Sequence, residues 1–279
     1  MFREGSYYIN DYENDWTGIT VFFNIQLGEA IQAFPDLLEE DELAGWRERY
    51  FITADYVREK IDKIGGTINY SITGAYAMAL AWKISGKDEY LKKAQELARI
   101  GCGHLSQSGL IFGEAHPCDA VTAKGARGID IGYNMEESLP ALLEYCHLVK
   151  DKKKESLVLN AIKTHLKFFL LDGGMDNSFG SRCYKWTYWG SRTSDGIHAA
   201  AALAGKKCPE FQRVAHENAL LLRRCTHDRR EAEGKRNIFY KICNYGLKNL
   251  YSGGMLQGIG VYYAGNCSEE RTCQFSFQQ

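Results

Sequence analysis

The sequence predicts an all-α fold of stacked helical hairpins, arranged as an incomplete or complete α/α toroid. Three observations carry that expectation. Apolar residues recur near a 3.6-residue period in eight segments, while strand-like alternation is weak before about residue 240. Short turns of one character recur at Gly86, at Lys150-Asp151-Lys152 and at Ala204-Gly205-Lys206, with Gly86 and Asp151 65 residues apart and Asp151 and Gly205 54 apart. Spacings of that size with tight turns are those of stacked helix pairs. The opposite connections, roughly 101–133 and 171–192, are long and dense in Gly, Tyr, Trp, His and Arg, and long loops of that kind ordinarily carry function.

In chain order, the first pair spans about 17–33 and 38–63, turning at Phe34-Pro35-Asp36. The second spans 70–85 and 88–100, the third 134–149 and 153–170, and the fourth 193–204 and 209–226. Residues 1–250 therefore read as one helical unit with its rich loops at one end, and 251–279 as an irregular tail or the truncated start of a further region. Four hairpins are fewer than a closed toroid ordinarily uses.

Composition narrows the chemistry. With 279 residues, 45% of them hydrophobic, the chain can bury a sizeable core. Lys+Arg 34 against Asp+Glu 35 supplies no global field for a nucleic acid, which is not expected as a partner. The nine cysteines include no CxxC pair, which excludes a zinc ribbon or thioredoxin-like motif and fits reduced thiols. No signal-peptide pattern and no 18-residue apolar run is present, so membrane insertion is not expected. Walker, GxGxxG, GxSxG and HExxH motifs are absent as well.

The densest chemistry lies in Asp176-Asn177-Ser178-Phe179-Gly180-Ser181-Arg182 and in Tyr184-Lys185-Trp186-Thr187-Tyr188-Trp189-Gly190-Ser191-Arg192. Its alternating aromatic and polar residues fit an edge strand. The sharper reading is a sugar site, in which Trp186 and Trp189 stack on C–H faces and Asp176 and Asn177 bind hydroxyls. Arg182 and Arg192 offer planar forks suited to a uronate carboxylate. His198 stands in the first turns of the next helix, as a packed residue or a proton carrier. In the other long loop, His116 and Glu114 are candidate proton carriers, and Tyr133-Asn134 open a helix. Asn134 reads either as an N-cap completed by Glu137 in a capping box or as a ligand-binding residue. Asn69 and Tyr70, at the start of the third helix, occupy the same topological place.

These stretches resemble a known group. Glu4-Gly5-Ser6-Tyr7-Tyr8, Trp16-Thr17-Gly18 and the Tyr133-Asn134 helix start are similar to the helical half of α/α-toroid polysaccharide lyases of the heparinase and alginate-lyase type. The Asp176–Gly180 and Lys185–Gly196 stretches more narrowly resemble bacterial rhamnosyl-glucuronate lyases. The resemblance implies β-elimination on a uronate-containing polysaccharide or oligosaccharide. Asn177, Arg182 and Asn134 would contact the carboxylate, and Tyr188, Tyr133, His116 and His198 would transfer protons. It also favours periplasmic or secreted action, against which the reduced cysteines and missing signal leave location open. No cofactor or metal ligand set is expected, with a divalent cation left open. Two other readings stand beside it: an α/α-barrel glycoside hydrolase, including an unsaturated-uronide hydrolase, using carboxylates among Asp176, Asp195, Glu114 and Asp119, and a non-catalytic glycan- or protein-binding helical scaffold.

Overall fold

A computed structural model describes residues 2–3, 5–7, 17–37, 39–61, 66–171, 173–176, 179–180 and 197–225. The described residues are helical apart from a two-stranded antiparallel ribbon, β1 (Phe2–Arg3) with β2 (Ser6–Tyr7), and isolated bridges in the loops. The all-α class is as the sequence predicts. The first two hairpins are α1 (Thr17–Ala33) with α2 (Glu40–Lys60), and α3 (Ile68–Ser85) with α4 (Asp88–Gly103). The third pairs α5, which runs Ile131–Tyr133, passes through a π-turn at Asn134–Ser138 and continues as Leu139–Val149, with α6 (Lys152–His165). The fourth pairs α7 (Ile197–Gly205) with α8 (Pro209–Cys225).

Odd-numbered helices form one layer and even-numbered helices the other. Along the odd-numbered layer α1 packs on α3, α3 on α5, and α5 on α7, while each even-numbered helix packs on its hairpin partner. The sequence of α3 explains its interior place. From Ile72 to Ala81 every residue is buried, and Gly74, Ala75, Ala77, Ala79 and Ala81 are small enough for three neighbours to approach closely. Gly28 of α1 serves the same end, since a Cβ there would lie 2.6 Å from the Tyr50 ring and 2.7 Å from Leu80. A closed ring is not among the features these residues display.

The tight turns have local causes. Gly86 takes the left-handed conformation (φ 72°), and its N–H donates to Trp82 O at 2.7 Å, closing α3. Lys150 does the same for α5 at φ 59°, with Asp151 immediately after it, whose side chain caps α6 by accepting from Lys154 N at 3.0 Å. Glu155, one turn into α6 and buried, accepts from Lys152 at 2.9 Å and from Lys207 beyond α7, which ties the third hairpin to the fourth. The Lys207 bond is the leading cause that holds the Glu155 carboxyl below the usual carboxylate range. Among the described residues Cys102, Cys118, Cys146 and Cys208 are free thiols. No described helix is long and apolar enough to cross a membrane.

Candidate functional site

The two long loops meet at the start of α5. Asp130 is the N-cap, its carboxylate accepting from Tyr133 N at 3.0 Å, and its backbone bridges to Gly180 at the far end of the described part of the second loop. Gly180 has φ 119°, and a Cβ there would stand 2.3 Å from Ile129 O, so only glycine permits this approach. The residues before it are held from below. Met175 is buried and bridges Phe169, Asp176 N donates to Phe168 O at 2.7 Å, and the Phe179 ring lies 5.1 Å from Phe168.

The capping box expected at Asn134 is not formed. Asp130 takes the cap four residues earlier, because the backbone is already helical at Ile131 and Asn134 has αR dihedrals. Asn134 is instead fully buried within the π-turn, where Leu139 N donates to Asn134 O. Turns of this type recur at functional sites. Its side-chain Nδ2 donates to Ile111 O at 3.2 Å and to His165 Nε2 at 3.0 Å. That second bond is possible because His165 gives its Nδ1 proton to Ala161 O at 2.8 Å, leaving Nε2 as the acceptor. Burial pushes the His165 imidazole down to about 4, so it stays neutral at physiological pH. Asn134 thus braces the turn between the first long loop and α6, while its own Oδ1 is buried without a hydrogen-bond partner.

Glu137, also in the π-turn, reaches across to α3 and accepts from Asn69 Nδ2 at 2.5 Å. Asn69 accepts in turn from Thr67. Tyr70, next in sequence, packs into the notch left by Gly18 of α1 and lies 6.2 Å from Phe22. On the other side, Ile68 N donates to Gly113 O at 3.1 Å, and Gly113 and Glu114 both donate to Gly128 O, at 2.8 and 3.1 Å. The starts of α1, α3 and α5, the loop 104–130 and residues 173–176 and 179–180 therefore form one cluster.

The expected site residues fall at different places in and around this cluster. Tyr133 is half-buried on the first turn of α5. Asp176 is half-buried on the second loop, Glu114 is buried beneath the first loop, and His116 and Asp119 are exposed on its outer turn. His198 is buried between α7 and α8, its Nδ1 donating to Asn218 Oδ1 at 3.2 Å, and burial lowers its imidazole to about 4. Asn218 passes the contact on to Gly173 O at 2.9 Å, so His198 supports the second loop from behind. Tyr188, Asn177, Arg182, Arg192, Trp186, Trp189 and Asp195 lie outside the described residues. Two members of the cluster, Asp130 and His165, are not among the residues the sequence singles out. Asp130 directly precedes the apolar Ile131, an N-cap signature. His165 completes the stripe Val158, Ala161, Ile162, His165 on the buried face of α6.

The family model described as the ulvan lyase N-terminal domain matches residues 2–245, which include both long loops. A broad-specificity ulvan lyase from Formosa agariphila is 34% identical over 226 residues, covering 80% of this chain and 35% of that protein. The chain thus spans about a third of the length of this curated relative. No solved structure matches.

Proposed function

Because the chain belongs to the family of ulvan lyase N-terminal domains, we propose that it carries the cleft of a polysaccharide lyase. The proposed reaction is β-elimination at a uronate of an ulvan-type glycan, at the linkage between rhamnose and glucuronate and outside the cytoplasm. The observation that supports this reading most is the match over residues 2–245, which spans both long loops that meet at the start of α5.

In this reading the C5 carboxylate of the bound uronate is met by Asn177, Arg182 and Arg192. Neutralising it lowers the cost of the carbanion that forms when the C5 proton leaves. Tyr188, Tyr133 and His116 are the groups proposed to take that proton and to return one to the departing O4, leaving a C4–C5 double bond. An ordinary tyrosine is a weak base at neutral pH, so the arginines of the second loop also serve to favour a phenolate. Asn134 and His165 brace the turn on which Tyr133 stands. Trp186 and Trp189 provide stacking faces for neighbouring sugars, and Asp176 binds hydroxyls.

The test is ultraviolet absorbance of the unsaturated uronate while the full chain is incubated with ulvan and with other uronate-containing polysaccharides. Absorbance should rise with ulvan. Tyr133→Phe and Tyr188→Phe should each slow the rise by about 10²–10⁴-fold if the residue carries a proton. New reducing ends without absorbance would show hydrolysis, and binding without cleavage would show a scaffold; either result refutes the proposal. Unchanged turnover in one variant removes that residue from the proton-transfer set.

A further inference from the structure

Just beyond His116, the first long loop folds back on the end of α4 and brings together three side chains that sequence spacing alone does not associate. His104, the C-cap residue of α4, meets Cys118 and Asp119, and one ligand atom from each lies within 4.8 Å of the other two. We propose that these residues bind a zinc ion that fastens the loop 104–130 to α4.

Hydrogen bonding points to a cation. His104 Nδ1 lies 3.1 Å from Ile100 O and donates to it, which leaves Nε2 with a lone pair when the ring is neutral. That Nε2 is buried, has no hydrogen-bond partner, and stands 3.5 Å from Asp119 Oδ1. Two acceptors thus face one another, and a cation between them satisfies both. A backbone carbonyl that holds the far ring nitrogen is also the usual outer support of a zinc-bound histidine. The ring is fixed before any metal arrives. It packs 4.9 Å from Phe112, which carries the Arg127 guanidinium at 4.4 Å, and Gly113 borders its other edge, where a Cβ would lie 3.0 Å from His104 Cδ2.

The donor set selects the metal. One imidazole nitrogen, one sulfur and one carboxylate oxygen suit zinc, whereas magnesium and calcium take oxygen alone. Zinc bonds of about 2.0–2.3 Å place neighbouring ligand atoms roughly 3.3–3.8 Å apart in a tetrahedron. The His104–Asp119 separation of 3.5 Å already meets that spacing, and the Cys118 sulfur, within 4.8 Å of both, has to close in on binding. Cys118 would bind as thiolate, releasing its proton to water. Asp119 is 80% exposed, so the fourth position opens to solvent. The fastened loop is the one whose Gly113 O accepts from Ile68 N at the start of α3, beside Asn69.

The test uses the full chain, reduced and stripped with a chelator, titrated with Zn²⁺ and separately with Co²⁺ as an optical probe. One equivalent should bind, the melting temperature should rise with Zn²⁺, and cobalt should give a thiolate-to-metal charge-transfer band. Cys118→Ser should abolish the band, and Asp119→Asn should weaken binding by at least about tenfold, both with unchanged circular dichroism. His104→Gln should do likewise. Should it misfold, the two loop variants still decide. Absence of the cobalt–thiolate band or of any Zn²⁺ stabilisation would overturn the site and leave a simple imidazole–carboxylate pair. Retention of stoichiometry and band in Cys118→Ser would overturn it too, by showing that other cysteines hold the metal.

Discussion

Acidification from pH 7 to pH 5 sets two buried histidines against one half-buried carboxyl. His165 and His198 are held near 4 in the folded chain by burial, against 6.5 when exposed. Between those values the unfolded chain takes up protons that the folded chain refuses, so stability rises with pH across this window and is lost as pH falls. With these values each histidine costs about 2 kcal/mol on going from pH 7 to 5. Glu29 acts in the opposite sense. Desolvation, helped by repulsion from the Glu144 charge, lifts it from 4.5 to about 7, while the hydrogen bond from the Tyr76 hydroxyl at 2.7 Å opposes the rise. Its contribution is present below 4.5 and lost as pH climbs through 7, so acidification to pH 5 returns about 2 kcal/mol. Asp151 and Glu155, both held below their ordinary values, keep their contribution throughout this range. The net expectation is a loss of about 2 kcal/mol, measured by urea unfolding monitored by circular dichroism at pH 7, 6 and 5. His165→Gln keeps a donor and an acceptor but cannot titrate, and should nearly remove the net loss. Glu29→Gln should double it. A pH dependence that His165→Gln leaves untouched would refute the assignment of a neutral, buried ring beneath Asn134.

Three further expectations concern packing and polar contacts. Gly18→Ala places a Cβ 2.2 Å from the Tyr70 ring, so the ring must move; the expected cost is about 1–3 kcal/mol, seen as a lowered Tm. Asn134→Ala removes the donors to Ile111 O and His165 Nε2 and should cost about 2–3 kcal/mol, part of the loss being offset because the unpartnered Oδ1 goes too. Glu155→Gln should cost only about 1–2 kcal/mol in denaturant titration, because Lys152 and Lys207 are 76% and 51% exposed and can turn to water. A loss near 4 kcal/mol would show that the two lysines are trapped.

The hairpins are legible in the sequence because each is specified locally. Apolar spacing marks the helices, Gly86 supplies a left-handed turn, and Asp151 caps α6. The start predicted at residue 134 lies three residues late, since Asn134 with Glu137 imitates a capping box that Asp130 pre-empts. What Asn134 and Glu137 do instead depends on His165 and Asn69, which lie 31 and 68 residues away; no local pattern reports such pairings. The same holds for His104 with Cys118 and Asp119, whose spacing matches no compact metal motif. The second loop is expected to hold most of the sugar contacts, and its described residues 173–176 and 179–180 are tied to the folded frame.

The π-turn at Asn134–Ser138 also bears on how the site tolerates insertion and deletion. It holds one more residue than the α-turn it replaces, so the helix on its two sides is out of phase. Removing a single half-buried residue here, such as Glu136, would restore an ordinary helix while keeping Leu139 to Val149 in sequence register. Everything N-terminal to the cut would then rotate by about 100° around the axis. Tyr133 would turn to a different side of the helix, and Asp130 would part from Gly180. Length in this short segment, more than the identity of its side chains, sets the direction in which the start of α5 faces.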